Sequence, residues 1–246
     1  MFSDLINSSD PDLSCRECIP FTRSCPACVK PCSDINEPGP REQINQITSY
    51  IDAGLVYGGP DSNEEQYWMN LYNQTTGKLR VQRSHFDTDL LPDADKGFDK
   101  CNSGCFVAGD SRANEATVLT VLYTIFLREH NRLVTGLSQI NPTWEPTKLY
   151  LEARRIVAAE LQHITYEEFV PLMLGSKLPT RSYDNKYTAS TSNVFATASF
   201  RFVHGTLTED FLRLDSDYKN STPATKHPLL HLSNPLSASG RRSVSK

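Results

Sequence analysis

The strongest constraint on how this chain can fold is a periodic apolar stripe in its middle. From Glu115 to Leu137, the residues Leu119, Leu122, Phe126, His130, Leu133 and Leu137 recur at intervals of three and four, with Arg128, Glu129 and Arg132 on other faces. A strand would bury alternate residues, so this spacing predicts a long helix packed on one side. A second helix is expected after Pro146, a residue suited to a first turn, with Leu149, Ala153, Ile156, Val157, Glu160 and Ile164 as its inner stripe. Thr165-Tyr-Glu-Glu168 has the pattern of a capping box and predicts the start of a third helix, and Asn193 to Thr206 reads as a fourth. Shorter helices are expected within Ile44 to Val56, before a turn at Gly58-Gly59-Pro60, and around Glu64 to Tyr72. With no strong strand alternation and no internal repeat, the fold class is mainly α, with long loops.

Three segments follow from the same pattern. Residues 1–45 are rich in Pro, Cys, Ser and Asp without periodicity and read as loops held by cross-links. Residues 46–215 carry the helices, and 216–246 end in a Ser-rich stretch, Ser233 to Lys246, that reads as a flexible tail. A net charge of -4 and a pI near 5.9 argue against a nucleic-acid partner, which would favour a basic stripe. No apolar run approaches the roughly 18 residues needed to span a bilayer. Seven cysteines and three glycosylation sequons, at Asn7, Asn73 and Asn220, point to an oxidising, secretory setting. The opening Met1-Phe-Ser-Asp-Leu-Ile6 lacks the basic and apolar regions of a signal peptide, so Met1 is not expected to be the natural start of the mature domain.

Several residue groups carry chemistry. Cys15-x-x-Cys18 and Cys25-x-x-Cys28 suit either a four-cysteine zinc site or disulfides. Cys101 and Cys105 flank the turn-like Asn-Ser-Gly, and a structural disulfide closing that small loop is the preferred reading. Arg201 and His204 lie three apart and share a helix face with Thr197 and Phe200. A buried histidine beside aromatics is, alone, more often a satisfied core residue than a ligand. Arg112 and Glu115 are one helical turn apart, placed either as a solvated pair or to point into one cavity. Together the two groups look like the sides of a haem pocket, with a cation above the metal and a neutral imidazole below. Thr48, Tyr50 and Asp52 alternate, which suits calcium ligation by hydroxyl, carbonyl and carboxylate oxygens, though three such residues are weak evidence. His130, within Arg128-Glu-His-Asn-Arg132, sits on the apolar stripe and is expected to be a hydrogen-bonded core histidine. His85, His163, His227 and His231 have no supporting constellation.

An ordered set of segments carries a more specific signal. It comprises Ile47-Thr-Ser-Tyr-Ile-Asp-Ala-Gly-Leu-Val-Tyr57, Ala108-Gly-Asp-Ser-Arg112-Ala-Asn-Glu115, Leu127-Arg-Glu-His-Asn-Arg-Leu133, Leu149-Tyr-Leu-Glu-Ala-Arg-Arg-Ile156, Ile164-Thr-Tyr-Glu-Glu-Phe-Val-Pro171 and Asn193-Val-Phe-Ala-Thr-Ala-Ser-Phe-Arg-Phe-Val-His204. Over roughly residues 15 to 215 this set closely resembles the animal haem peroxidases. The resemblance implies an incomplete helical peroxidase domain that binds haem b. His204 would be the proximal axial ligand, Arg201 would lie near the haem edge, and Arg112 would be the distal arginine that polarises the peroxide bond. Glu115 would form an ester to the haem periphery. Ala116 stands where some members carry a methionine linked to haem through sulfur, so that link is not expected.

The resemblance also implies a calcium loop at Thr48, Tyr50 and Asp52, weakened because Gly54 replaces the usual serine ligand. It further implies that the cysteines pair as disulfides, with Cys18 joined to an upstream cysteine such as Cys15. The expected reaction takes oxidising equivalents from hydrogen peroxide and electrons from a halide, thiocyanate or phenolic donor. Family members also carry a Gln-x-x-x-His distal motif, which these 246 residues lack. The chain therefore reads as a piece of such an enzyme, and the alternative is a truncated non-enzymatic product.

Overall fold

The computed structural model describes residues 42–45, 47–59, 72–93, 105–179, 182–208 and 210–226. The chain divides into two compact units, one combining residues up to Gln46 with Thr191–Arg201, the other combining Ile47–Ser190 with the residues from Phe202 on. Residues 64–71 of the expected Glu64–Tyr72 helix, the Cys15–Cys28 cluster, Asn7 and the Ser233–Lys246 tail lie outside the described residues, and Tyr72 itself forms an antiparallel bridge with Leu79.

The larger unit is built on a helical hairpin. Helix α2 (Thr117–Ile140) and helix α3 (Pro146–His163) pack against each other across a short connection. Pro146 opens α3, as expected, because its missing N–H is one that a first turn leaves unpaired anyway. Tyr123, Leu127, His130 and Val134 of α2 are buried, as are Leu149, Tyr150, Ala153 and Val157 of α3. Before the hairpin come the short helix α1 (Gly54–Tyr57) and a small antiparallel ribbon of β1 (Gln82–Arg83) and β2 (Asp89–Leu90).

The buried polar centre of this unit is His130, which has no solvent exposure. Its Nε2 donates to the carbonyl of Gly77 at 3.1 Å, and its Nδ1 accepts from the Tyr57 hydroxyl at 2.8 Å. That assignment follows because a carbonyl can only accept, which fixes the proton on Nε2 and leaves Nδ1 as the acceptor. Tyr57 and Tyr150 contact the imidazole edge-on and tilted, and the Arg154 guanidinium lies 5.2 Å from the Tyr57 ring centre. The next residue, Asn131, accepts from the Leu79 amide at 2.8 Å and donates to the Leu79 carbonyl at 3.0 Å. Arg128 donates to the carbonyl of Asp89 at 2.7 Å through Nε. The polar run on α2 therefore grips two backbone segments, one at Gly77 and Leu79 and the other at Asp89 of β2.

The structure corrects several expectations. The long helix begins at Thr117 rather than Glu115, because Ala116 is extended (φ -150, ψ 145) and a separate 3₁₀ turn, Ser111–Asn114, precedes it. Within Ile44 to Val56 the only helical residues are those of α1, which opens at Gly54 after Ala53 adopts a left-handed φ of 64. Thr165 does not open a helix: its hydroxyl donates back to the Leu161 carbonyl at 2.7 Å, and α3 runs through a π-helical turn (Ile164–Phe169) into α4 (Val170–Leu174). The Asn193–Thr206 helix is broken at Ala198 into α5 (Asn193–Thr197) and a 3₁₀ helix (Ser199–Thr206). Strands missed in the sequence form a second ribbon, β3 (Asp210–Leu214) paired antiparallel with β4 (Asn220–Lys226). This ribbon straddles residues 215 and 216.

Burial pushes the His130 imidazole down to about 4, with the Gly77 hydrogen bond opposing weakly. A base with a depressed folded pKa stabilises the fold fully only above its unfolded value, near 6.5, and that contribution is lost as pH falls towards 4. The linked loss approaches about 3 kcal/mol at most. Urea midpoints measured between pH 7 and 4.5 should fall more steeply for the native chain than for His130→Gln, and parallel slopes would refute the linkage. A second prediction concerns Gly109, where a Cβ would lie 2.2 Å from the Gly54 carbonyl and 2.5 Å from the Gly58 nitrogen. Both are backbone atoms, so Gly109→Ala should cost about 1–3 kcal/mol in urea unfolding, and an unchanged midpoint would show that the segments part freely.

Candidate functional site

Arg112 is held by a turn fastened at both ends. Asp110 caps the 3₁₀ turn by accepting from the Arg112 amide at 2.9 Å. At the other end Asn114 accepts from the Phe106 amide at 2.7 Å and donates to the Phe106 carbonyl at 2.8 Å. Thr120 of α2 donates to the Ala113 carbonyl at 2.6 Å, tying the turn to the helix that follows. Just upstream, the Gly109 amide donates to Leu55 of α1 at 3.0 Å. Cys105, which opens this stretch, is disulfide-bonded, and Cys101 lies outside the described residues.

A 3₁₀ turn eclipses residues three apart, so Arg112 and Glu115 stack on one face more directly than an α-helix would place them. The Arg112 side chain is 58% exposed. Its guanidinium pairs with Asp110, at 2.7 Å between Nη2 and Oδ2 and 3.2 Å between Nε and Oδ1. That hydrogen bond, more than the field of Glu115, holds the guanidinium above its usual range. Among the described residues the exposed Glu115 carboxylate makes no side-chain hydrogen bond or ion pair, leaving its oxygens accessible to an external group.

His204 is exposed, not buried as its aromatic neighbourhood suggested, and lies in the 3₁₀ helix Ser199–Thr206 with Arg201. Large apolar side chains there are also exposed, Phe200 by 47% and Phe202 by 58%. In the smaller unit, Phe195 and Phe200 stack at 5.6 Å between ring centres, and the Arg201 guanidinium lies 6.0 Å from the Phe200 ring. The local start of this region is set by Ser192, whose hydroxyl accepts from the Phe195 amide at 3.1 Å. The accessible imidazole of His204 has the donor chemistry of an iron ligand.

Thr48, Tyr50 and Asp52 lie together on one partly exposed segment. Thr48 Oγ1 accepts from the Tyr50 amide at 3.1 Å, and Asp52 Oδ1 accepts from the Gly54 amide at 2.9 Å. The two side-chain oxygens thus shape a turn, and among the described residues no group of three or more His, Cys, Asp or Glu is gathered to hold a metal. These residues alone do not complete a calcium site.

Sequence reasoning missed Asp110 and Tyr123, which converge on Arg112 in space. Asp110 was legible as a residue type favoured at helix starts, whereas Tyr123 was hidden by its place on an otherwise apolar helix. His130 was read correctly as a core histidine.

The family model described as animal haem peroxidase matches residues 5–241. Myeloperoxidase of Homo sapiens is 42% identical over 230 residues, covering 87% of this chain and 30% of that protein. Eosinophil peroxidase of Mus musculus is 41% identical over 231 residues, covering 87% of this chain and 31% of that protein. The chain thus spans under a third of these relatives. Among solved structures, peroxidase A from Dictyostelium discoideum is similar with a TM-score of 0.68 at 28% identity, over 79% of this chain and 39% of that one. The helical fold and the family match concur: the chain belongs to the animal haem peroxidase family.

Proposed function

We propose that this chain is part of a haem peroxidase that uses hydrogen peroxide to oxidise a halide, thiocyanate or phenolic donor. The observation that carries the reading is the accessible imidazole of His204, set among exposed aromatics in a chain of this family. When bound, haem supplies the iron centre at which peroxide is reduced and from which donors are oxidised.

The chain's own residues have distinct parts in this reading. His204 offers a ring nitrogen as axial ligand, and Arg201 supplies positive charge near a haem propionate. Phe202, exposed in the structure, would offer apolar surface to a bound haem. Arg112 directs its N–H groups towards the peroxide oxygen on which negative charge develops, a preorganised electrostatic role. Glu115, with oxygens accessible, is suited to an ester bond at the haem periphery. Thr48, Tyr50 and Asp52 contribute part of a calcium loop that residues elsewhere in the complete domain would finish. A secretory location, with disulfides and glycosylation at Asn73 on its exposed turn, accompanies this reading.

The test is a hemin titration of the purified 246-residue chain beside His204→Ala and Arg112→Gln. The native chain should develop a shifted Soret band, and His204→Ala should bind hemin at least roughly tenfold more weakly. Arg112→Gln should keep the band while lowering the rate of reaction with hydrogen peroxide by roughly a hundredfold. A native chain with no shifted band, or a band unchanged in His204→Ala, would exclude His204 ligation. It would leave the non-enzymatic alternative standing.

A further inference from the structure

Four donors from two residues converge on one carboxylate beside the proposed reaction site. Asp110 receives the Arg112 amide at 2.9 Å, the Arg112 guanidinium through Nε at 3.2 Å and Nη2 at 2.7 Å, and the Tyr123 hydroxyl at 2.7 Å. The Asp110 side chain is only 16% exposed, and Tyr123 is 5% exposed in the core beneath it. Tyr123 extends from α2, so the hydroxyl that braces Asp110 is fixed by the longest helix among the described residues.

We propose that Asp110 and Tyr123 are positioning residues for Arg112, and that by neutralising its charge they select a neutral peroxide over a bare anion. The proposal rests on the reading of Arg112 as the distal arginine. A guanidinium has five N–H donors in a rigid fork. Asp110 takes the Nε edge, so the Nη1 edge remains as the one presented outward with directed hydrogen bonds. An arginine without a carboxylate partner would hold small anions more tightly than a paired one. A carboxylate-paired one keeps its directional donors with little net charge, so it can polarise peroxide without trapping halide. Consistent with this pairing, burial and then the Asp110 hydrogen bond push the Tyr123 phenol up, and Asp110 raises Arg112.

Two conservative variants isolate the effect. Asp110→Asn keeps a capping oxygen, since Asn and Asp are equivalent at helix starts, and removes the charge. Tyr123→Phe keeps the buried ring and removes the hydroxyl. The first readout needs no haem: exchange of the Arg112 Nε proton with water, followed by nitrogen NMR in the full 246-residue chain. It should accelerate at least roughly tenfold in Asp110→Asn and a few-fold in Tyr123→Phe, as charge-assisted bonds are lost.

The second readout is fluoride binding to the haem-loaded protein. Affinity should rise roughly tenfold in Asp110→Asn as the cation is unmasked, while reaction with peroxide slows through loss of orientation. Unchanged proton exchange in Asp110→Asn would overturn the positioning claim. Faster exchange with fluoride affinity unchanged or weakened would overturn the selectivity claim. Failure of the native chain to bind hemin would instead refute the peroxidase reading, leaving the exchange result to judge the clamp independently.

Discussion

The described core depends on a neutral imidazole. His130 sits where α1, the Gly77 turn and the α2–α3 hairpin meet, donating to one backbone and accepting from one phenol. A charged imidazole would turn both ring nitrogens into donors, forcing the Tyr57 hydroxyl to accept instead of donate, and would place an unpaired charge in the buried core. Hydrophobic burial of Tyr57, Tyr150 and Val157 around it gives the driving force, about 1.5–3 kcal/mol per large apolar side chain. The histidine adds direction, because only one loop arrangement satisfies both of its nitrogens. Gly77 is also one of the few positions where glycine is required: φ is +78, and a Cβ would meet the Pro146 carbonyl at 2.6 Å.

From that core the candidate site is built outward in steps. Helix α1 is held by Tyr57, and Gly109 packs its backbone against α1 at distances no side chain would allow. Asp110 then caps the next turn, and Tyr123 reaches up from α2 to brace it. Arg112 is thus oriented by one chain of contacts leading back to the buried helix pair. The imidazole of His204, by contrast, lies in an exposed 3₁₀ segment whose aromatic side chains have large accessible surface. Patches of this kind mark surfaces that bind something, and the proposed occupant here is haem.

Much of this was legible in the sequence, for physical reasons that differ by residue. The stripe of α2 and the opening of α3 at Pro146 were readable because helix period and proline chemistry are local. His130 was readable because a histidine on an apolar stripe must be buried. Local signals misled where tertiary contacts or side-chain competition decide. Thr165 resembled a cap, yet its hydroxyl found the Leu161 carbonyl one turn back. Ala116 has good helix propensity, yet it is extended, because the Arg112 turn is pinned to Phe106 and α2 must restart. The ribbon of β3 and β4 escaped notice because its pairing shifts register between Phe211 and Leu214, which blurs alternation. The Asp110–Tyr123 contact joins residues 13 apart on different elements, and no local pattern encodes it.

The central claim is that His204 supplies the axial nitrogen of a haem peroxidase site, and magnetic resonance of the haem-loaded ferric protein tests it most directly. With histidine labelled by nitrogen-15, hyperfine coupling from one imidazole should appear and vanish in His204→Ala, where added unlabelled imidazole should give a nitrogen-14 coupling in its place. Coupling that persists in His204→Ala would assign the iron to another histidine and contradict the account.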